Sequence, residues 1–254
     1  MRVLLAMNSE SPFVPVWVKA YLRAGVSIDI VSRFDLSRNP HLSRILEAYA
    51  DRGSARIRVL DSSVYGGTST PMDYPRVALR IAALTQRYDY DGIHAHFLQT
   101  RGFMTHFSAA RRTILSPYGS DVFRPGLWGW SAPRPLVNAV MRSIVRDADL
   151  VIPTSRHMEQ YLINTLGADP TRTFTMSWGI DLEEWASPSP SEVPDDVREM
   201  AEGHDGTVFM SYRSARPVYR ISALPLIHHH LERMGIESTF ISVSYTHLTL
   251  PTKA

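Results

Sequence analysis

Short apolar runs alternate along this chain with amphipathic segments of helical period. Arg2 to Met7 has the continuous apolar character of a buried strand, and the loop after it leads into a helix that starts near Pro12 or Pro15. That helix carries Val16, Trp17, Tyr21 and Leu22 and stops at Gly25, after which Val26 to Val31 alternates into a second strand. Connections this short favour parallel pairing of the two strands. Asp35 to Arg52 is patterned more weakly, with a helix over Leu42, Ile45, Leu46 and Tyr49, and Ala55 to Leu60 makes a third strand ahead of a Gly- and Thr-rich loop, Ser62 to Thr70. The alternation then repeats. A helix through Val77, Leu79, Ile81, Ala82 and Leu84 precedes the strand Gly92 to Phe97, and a helix through Phe103, Met104 and Phe107 precedes the strand Thr113 to Ser116. A further helix covers Leu136, Val137, Val140, Met141 and Ile144.

The stretch from Arg146 to Trp185 closes this series. Leu150 to Ile152 is a short strand broken by Pro153, and the Thr154 and Ser155 hydroxyls stand where a helix cap is needed. Met158, Tyr161, Leu162 and Leu166 form the apolar face of that helix and Gly167 ends it. Residues 171–178 are β-branched and aromatic and are expected to form another strand, ending at the flexible Gly179. Strands alternating with helices predict a doubly wound, Rossmann-like α/β domain over residues 1–178. Ligands of such sheets sit beyond the carboxyl ends of the strands, so the segments of interest are 8–13, 94–99, 118–124 and 154–156.

From Asp181 the chain turns acidic and proline-rich, and residues 179–205 are expected to be a hinge and acidic linker containing Ser187-Pro188-Ser189-Pro190-Ser191 and a short helix over Val193 to Met200. A strand at Thr207 to Tyr212, an arginine-bearing loop from Arg213 to Arg220, a helix through Leu224, Ile227 and Leu231 and a strand at Ser238 to Val243 follow. One strand-helix-strand unit cannot cover both faces of its own sheet, so residues 206–243 are expected to be the start of a second α/β domain. Residues 244–254 show no turn glycine, and they resemble a translated library adaptor; the alternative is an edge strand of alternating Thr and Leu.

Composition narrows the class. Hydrophobic residues make up 44% and charged residues 20% of the 254, ordinary for a globular chain with a sizeable core. The absence of cysteine excludes disulfides and thiolate metal sites and makes a reducing, cytoplasmic setting the default. A net charge of +2 without a lysine block does not predict a nucleic-acid partner. No segment approaches the roughly 20 apolar residues of a spanning helix. Arg134, Arg142 and Arg146 flank the apolar face Leu136, Val140 and Ile144. A core-facing helix with solvated arginines explains that pattern more readily than peripheral contact with anionic lipid at the inner face of a membrane. The loop at residues 8–15 has no GxGxxG, against a dinucleotide oxidoreductase. His228, His229 and His230 are consecutive on a helix, point in different directions and form no ligand set.

The order DGIHAHF, ILSPYGSDV, ADLVIPTS, MSWGIDLEEW and FMSYR resembles the retaining glycosyltransferases of family four, which have the two-domain GT-B fold, over most of residues 1–243. The resemblance implies an acceptor-holding N-terminal domain, a C-terminal domain for a nucleotide-diphosphate sugar, and transfer to a sugar or lipid-linked acceptor without metal or other cofactor. It also implies that Arg213 contacts the donor diphosphate. The lysine usual a few residues on is missing, and Arg220 is the nearest cation, with Arg216 in reserve. His94 and His96 alternate along one strand and so face the same way. In the family this HxH lies near the cleft, which makes His96 a candidate catalytic residue and His94 an acceptor-side one; taken alone, two histidines at a strand end are more often packed and hydrogen-bonded than reactive. Tyr118 stands where relatives carry histidine; a phenol titrates near pH ~10 and is a poor base at neutral pH, though it can donate a hydrogen bond. Asp121 orients an acceptor hydroxyl or caps the next turn. Asn8, Ser9 and Ser11 shape the acceptor end where relatives carry paired glycines.

The family's glutamate pair further along the donor domain has no counterpart in this sequence, so the chain is expected to be a C-terminally truncated enzyme with little activity as it stands. Two competing functions are a non-catalytic glycan- or protein-binding module and a sugar-nucleotide epimerase of the same two-domain plan.

Overall fold

Six strands, Arg2–Ala6 (β1), Ser27–Val31 (β2), Ile57–Leu60 (β3), Gly92–His96 (β4), Thr113–Ser116 (β5) and Leu150–Val151 (β6), form one sheet in the order β3-β2-β1-β4-β5-β6, with every pair parallel. These come from a computed structural model that describes residues 1–8, 11, 13–32, 40–50, 57–60, 73–123, 134–177, 179, 195, 198–199, 206–211 and 221–242. The chain divides into two units, Met1–Asp181 and Leu182–Ala254. In the first, strand order runs outward from β1 through β2 to β3, then resumes on the other side at β4. The reversal between β1 and β4 is a topological switch point, and sheets of this kind bind their ligands beyond the carboxyl ends of the strands there.

Side-chain alternation along the strands sorts two core faces. Val3, Leu5 and Met7 pack with Ile28 and Ile30 under the helices Val14–Arg23 (α1) and Pro40–Ala50 (α2), which supply Val14, Val18, Leu22, Leu42 and Ile45. Leu4, Val31 and Ile93 face the other way, under Val77 and Ile81 of Asp73–Arg87 (α3) and Met104 of Phe103–His106 (α4). A third cluster joins Ala95, Leu115 and Val151 to Val137, Met141 and Ile144 of a later helix, Arg134–Asp147, and to Met158 and Leu162. Each aliphatic side chain fully buried in this way stabilises by about 1.5–3 kcal/mol. In register, Leu5 stands beside His94, so the histidines of β4 point to the α1 side.

The helix signals after β6 hold in detail. Ser155 Oγ accepts from the Met158 amide at 3.3 Å, and the helix Arg156–Tyr161 passes through a π-helical turn, Leu162–Leu166, to end at Gly167 with φ +75°. The strand expected over residues 171–178 is not regular. Asp169 Oδ1 accepts the Thr171 amide at 2.8 Å and caps a 3-10 turn, Pro170–Arg172, which takes the first residues of that segment. Past it Thr173 makes one bridge to Val151, with Phe174 and Met176 donating to the carbonyls of Val151 and Pro153 at 2.9 Å. β-Propensity there loses to the Asp-Pro turn in front of it.

The second unit holds two parallel strands, Thr207–Ser211 (β7) and Ser238–Ser242 (β8), joined through the helix Leu224–Arg233. The Phe209 and Phe240 rings stack with centroids 4.9 Å apart. Asp195, Arg198 and Glu199 are helical, within the short acidic helix anticipated there. Residues 187–191, 213–220 and 244–254 lie outside the described residues. Among the described residues, no helix is long and apolar enough to cross a membrane.

Candidate functional site

β4 ends at the switch point and presents His94 and His96 on one face, their rings 4.2 Å apart by centroid. His94 is 0% exposed and His96 2%. His94 Nε2 lies 2.8 Å from Ser116 Oγ on β5, and its Nδ1 lies 3.0 Å from the Tyr21 hydroxyl on α1. The Trp17 ring meets both imidazoles edge-on, at 4.8 and 5.2 Å. Burial lowers the His94 pKa to about 3 and holds that of His96 well below its usual value, with the neighbouring imidazole and Arg101 pushing the same way. Both rings are therefore neutral at physiological pH, each with one donor and one acceptor nitrogen. His96 Nδ1 sits 2.9 Å from the Tyr118 hydroxyl, while its Nε2 is buried without a partner among the described residues.

The backbone beyond His96 is unusual. Phe97 has φ +86°, a region bulky residues avoid because Cβ crowds the carbonyl oxygen. Its amide still donates to Ser116 O at 3.0 Å, and the Gly102 amide donates to Phe97 O at 3.1 Å across a π-helical turn, Leu98–Gly102. Asp121 ties this turn to the loop after β5. Its carboxylate accepts the Leu98 amide through Oδ2 and the Tyr118 amide through Oδ1 at 2.8 Å, and Gln99 Nε2 donates to the Asp121 carbonyl at 2.7 Å. Burial raises the Asp121 pKa, and the backbone amides that bond its carboxylate pull against that rise. With 0% exposure, Asp121 braces two loops and has no free face for a hydroxyl in this conformation.

Tyr118 is the half-buried member of the group. Its ring is edge-on to Phe13, His96 and Phe97 at 6.3, 5.9 and 6.2 Å, and its hydroxyl also bonds the Ser11 side chain. Burial raises the phenol pKa further above neutrality. The two imidazoles and the phenol are thus neutral hydrogen-bonding groups in an aromatic frame, suited to orienting hydroxyls and unsuited to taking a proton at pH 7.

Of the residues singled out from sequence, Ser11, His94, His96, Tyr118 and Asp121 come together here. Asn8 lies at the carboxyl end of β1, where its carbonyl accepts the Ser11 amide at 2.9 Å. Ser9, Arg213 and Arg220 lie outside the described residues. Among the described residues, no group of three His, Asp or Glu side chains is placed to hold a metal ion. Sequence reasoning missed Trp17, Tyr21, Phe97, Arg101 and Ser116 as members of the cluster. Phe13, Trp17 and Tyr21 recur every four residues, an aromatic stripe along one face of a helix, and that spacing was the available signal. Nothing in the local pattern marks Phe97 as a positive-φ residue.

No curated protein matches the chain by sequence. Solved structures with a similar fold include Anabaena HepE in complex with UDP-glucose, with a TM-score of 0.57 and 14% identity over 96% of this chain and 69% of that one. A glycosyltransferase from Rickettsia africae ESF-5 gives a TM-score of 0.57 and 13% identity, covering 95% of this chain and 68% of that one. A UDP-N-acetylglucosamine 2-epimerase from Rickettsia bellii gives 0.51 and 11%, covering 100% and 65%. At these identities the likeness is one of fold, and together with the all-parallel sheet it places the chain in the Rossmann-like GT-B class. The sequence profile of the glycosyl transferase 4-like domain matches residues 12–179, which span β4, β5 and the histidine-tyrosine cluster apart from Ser11, and the chain belongs to that glycosyltransferase family.

Proposed function

We propose that the chain serves the transfer of a sugar from a nucleotide-diphosphate sugar to a sugar or lipid-linked acceptor, with retention of configuration and without metal or other cofactor. The observation that carries this reading is the position of the cluster: the family match includes His94, His96, Tyr118 and Asp121, and they lie at the switch point where doubly wound sheets bind their ligands. The HepE neighbour is a complex with UDP-glucose, which supports a nucleotide sugar as the donor class. Tyr118, Ser11 and His96 orient the acceptor hydroxyl by hydrogen bonds, which lowers the barrier through positioning. Asn8 and Ser9 belong to the same acceptor end. His94, enclosed between Tyr21 and Ser116, and Asp121, enclosed between two loops, act by holding that wall in shape. Arg213 and Arg220 take the negative charge that develops on the departing diphosphate, which guanidinium forks match well.

Calorimetric titration with UDP and UDP-glucose, followed by proton NMR of any product, tests the reading. Binding that Arg213→Ala weakens is expected, with little turnover by this chain alone, and any product formed keeps the donor's anomeric configuration. An inverted product removes retention, epimerised nucleotide sugar without acceptor points to an epimerase, and glycan binding without affinity for any nucleotide sugar points to a binding module. The last two outcomes overturn the proposal.

A further inference from the structure

The two histidines of β4 are approached alike. A tyrosine hydroxyl stands at Nδ1 of each, Tyr21 at 3.0 Å from His94 and Tyr118 at 2.9 Å from His96. Both imidazoles are neutral, so each carries a single N–H, and its hydrogen-bond partners decide which nitrogen has it. A phenol is a better hydrogen-bond donor than an alcohol and a poorer acceptor, whereas a bare imidazole nitrogen is a strong acceptor. Each tyrosine therefore gives its hydrogen to Nδ1, which leaves the imidazole hydrogen on Nε2. The surroundings agree with that direction. His94 Nε2 lies 2.8 Å from Ser116 Oγ, whose lone pairs can take its hydrogen. On the His96 side the Phe13 amide donates to Ser11 Oγ at 3.4 Å, and the serine hydrogen is left to go to the Tyr118 oxygen. The order Phe13 N–H, Ser11 O–H, Tyr118 O–H, His96 Nδ1 uses each hydrogen once and runs one way. It ends on His96 Nε2, which is buried without a partner among the described residues.

We propose that Tyr118 is a positioning residue that fixes His96 as the Nε2–H tautomer, as Tyr21 fixes His94, so that His96 serves the site as a hydrogen-bond donor to an oxygen lone pair and not as a base. The proposal rests on the reading of this cluster as the acceptor site. It gives the phenol–imidazole contact a role beyond packing: with Nδ1 taken by the tyrosine, no ring nitrogen of His96 is left to receive a proton.

Nitrogen NMR of the purified 254-residue chain, isotope-labelled at histidine and held at neutral pH without any sugar, tests it, because a protonated ring nitrogen resonates far upfield of a bare one. Both histidines are expected to carry the hydrogen on Nε2. Tyr118→Phe removes the donor to Nδ1, so an Nδ1–H population of His96 appears and its two nitrogen resonances shift toward each other, while those of His94 stay in place as the internal reference. Ser11→Ala tests the direction of the chain without touching the tyrosine, and it leaves the His96 tautomer as it was. Were Tyr118 donating to Ser11 instead, loss of the serine would turn the phenol hydrogen to Nδ1 and switch the tautomer. Hydrogen on Nδ1 of His96 in the wild type, a switch in Ser11→Ala, or an unchanged tautomer in Tyr118→Phe overturns the proposal. No ligand enters this measurement, so each of these outcomes leaves the acceptor-site reading standing, and that reading falls separately in the nucleotide-sugar titration.

Discussion

Lowering the pH from 8 to 5 sets the interior of the histidine cluster against the unfolded chain. His94 in the folded protein titrates at about 3, against 6.5 for an ordinary imidazole, because burial penalises its charged form. Between those values the unfolded chain binds a proton that the folded chain refuses, so stability rises with pH across the window. It is fully present above 6.5 and is lost as the pH falls toward 3. From 6.5 to 5 the loss is 1.5 pH units at about 1.36 kcal/mol each, or about 2 kcal/mol from His94 alone. His96 adds a loss of the same sign, since its pKa is also depressed. Asp121 acts in the opposite sense. Its raised pKa gives stability that is present below 3.8 and lost as the pH rises through its folded value, which offsets part of the histidine slope at the acid end. The lowered pKa of Asp149 matters only below 3.8. Urea denaturation at pH 8, 6.5 and 5, followed by circular dichroism, measures the slope. His94→Gln keeps an amide able to reach Tyr21 and Ser116 but removes the titration, so it loses about 2 kcal/mol less than the wild type between pH 8 and 5, even if it starts lower. Equal pH slopes in the two proteins would refute the assignment of a desolvated neutral imidazole.

Three further substitutions probe the contacts one at a time. Tyr21→Phe leaves His94 Nδ1 buried without its 3.0 Å partner and costs about 1–3 kcal/mol, read as a lower urea midpoint with an unchanged slope against denaturant. Asp121→Asn replaces a carboxylate that accepts two backbone amides by a group with one acceptor oxygen, and it costs about 1–3 kcal/mol together with faster amide exchange at Leu98 and Tyr118. Gly206→Ala sets a Cβ 2.5 Å from the Glu237 carbonyl oxygen at φ +103°, so backbone must move; the β7–β8 pair loses exchange protection while β1–β6 keep theirs. Protection retained in β7–β8 would show that the second unit absorbs the clash locally.

The sheet was legible because burial on both faces writes continuous apolar runs, and β1, β2, β4 and β5 were placed to within a residue or two. The failed strand over residues 171–178 marks the limit of that signal, since the Asp169 cap and Pro170 decide the backbone before side-chain preference does. At the site, the same face for His94 and His96 followed from strand periodicity alone. Their enclosure did not, because it depends on α1 crossing the sheet so that Trp17 and Tyr21 reach β4 across the fold. Asp121 shows the same boundary. The sequence left orienting a hydroxyl and capping a turn level, and the Leu98 amide arriving from another strand's loop makes the carboxylate a brace between two loops, a role that local spacing does not show.

That bracing also explains how the strained residue survives. A positive φ at Phe97 costs about 1–2 kcal/mol and would relax if the loop were free. The loop is tied at both ends of the bend: Phe97 donates to Ser116 O, and Leu98 donates to a buried carboxylate. Hydrogen bonds to charged groups contribute about 1.5–3 kcal/mol, enough to hold the bend if Asp121 is ionised. Protonation would weaken the acceptor and loosen the turn, so the Asp121 carboxyl and the Phe97 conformation are coupled. Phe97→Gly, which removes the conformational penalty, should therefore reduce the cost of Asp121→Asn by about 1 kcal/mol in a double-mutant cycle. Strictly additive losses would show that Asp121 braces the loop without restraining Phe97.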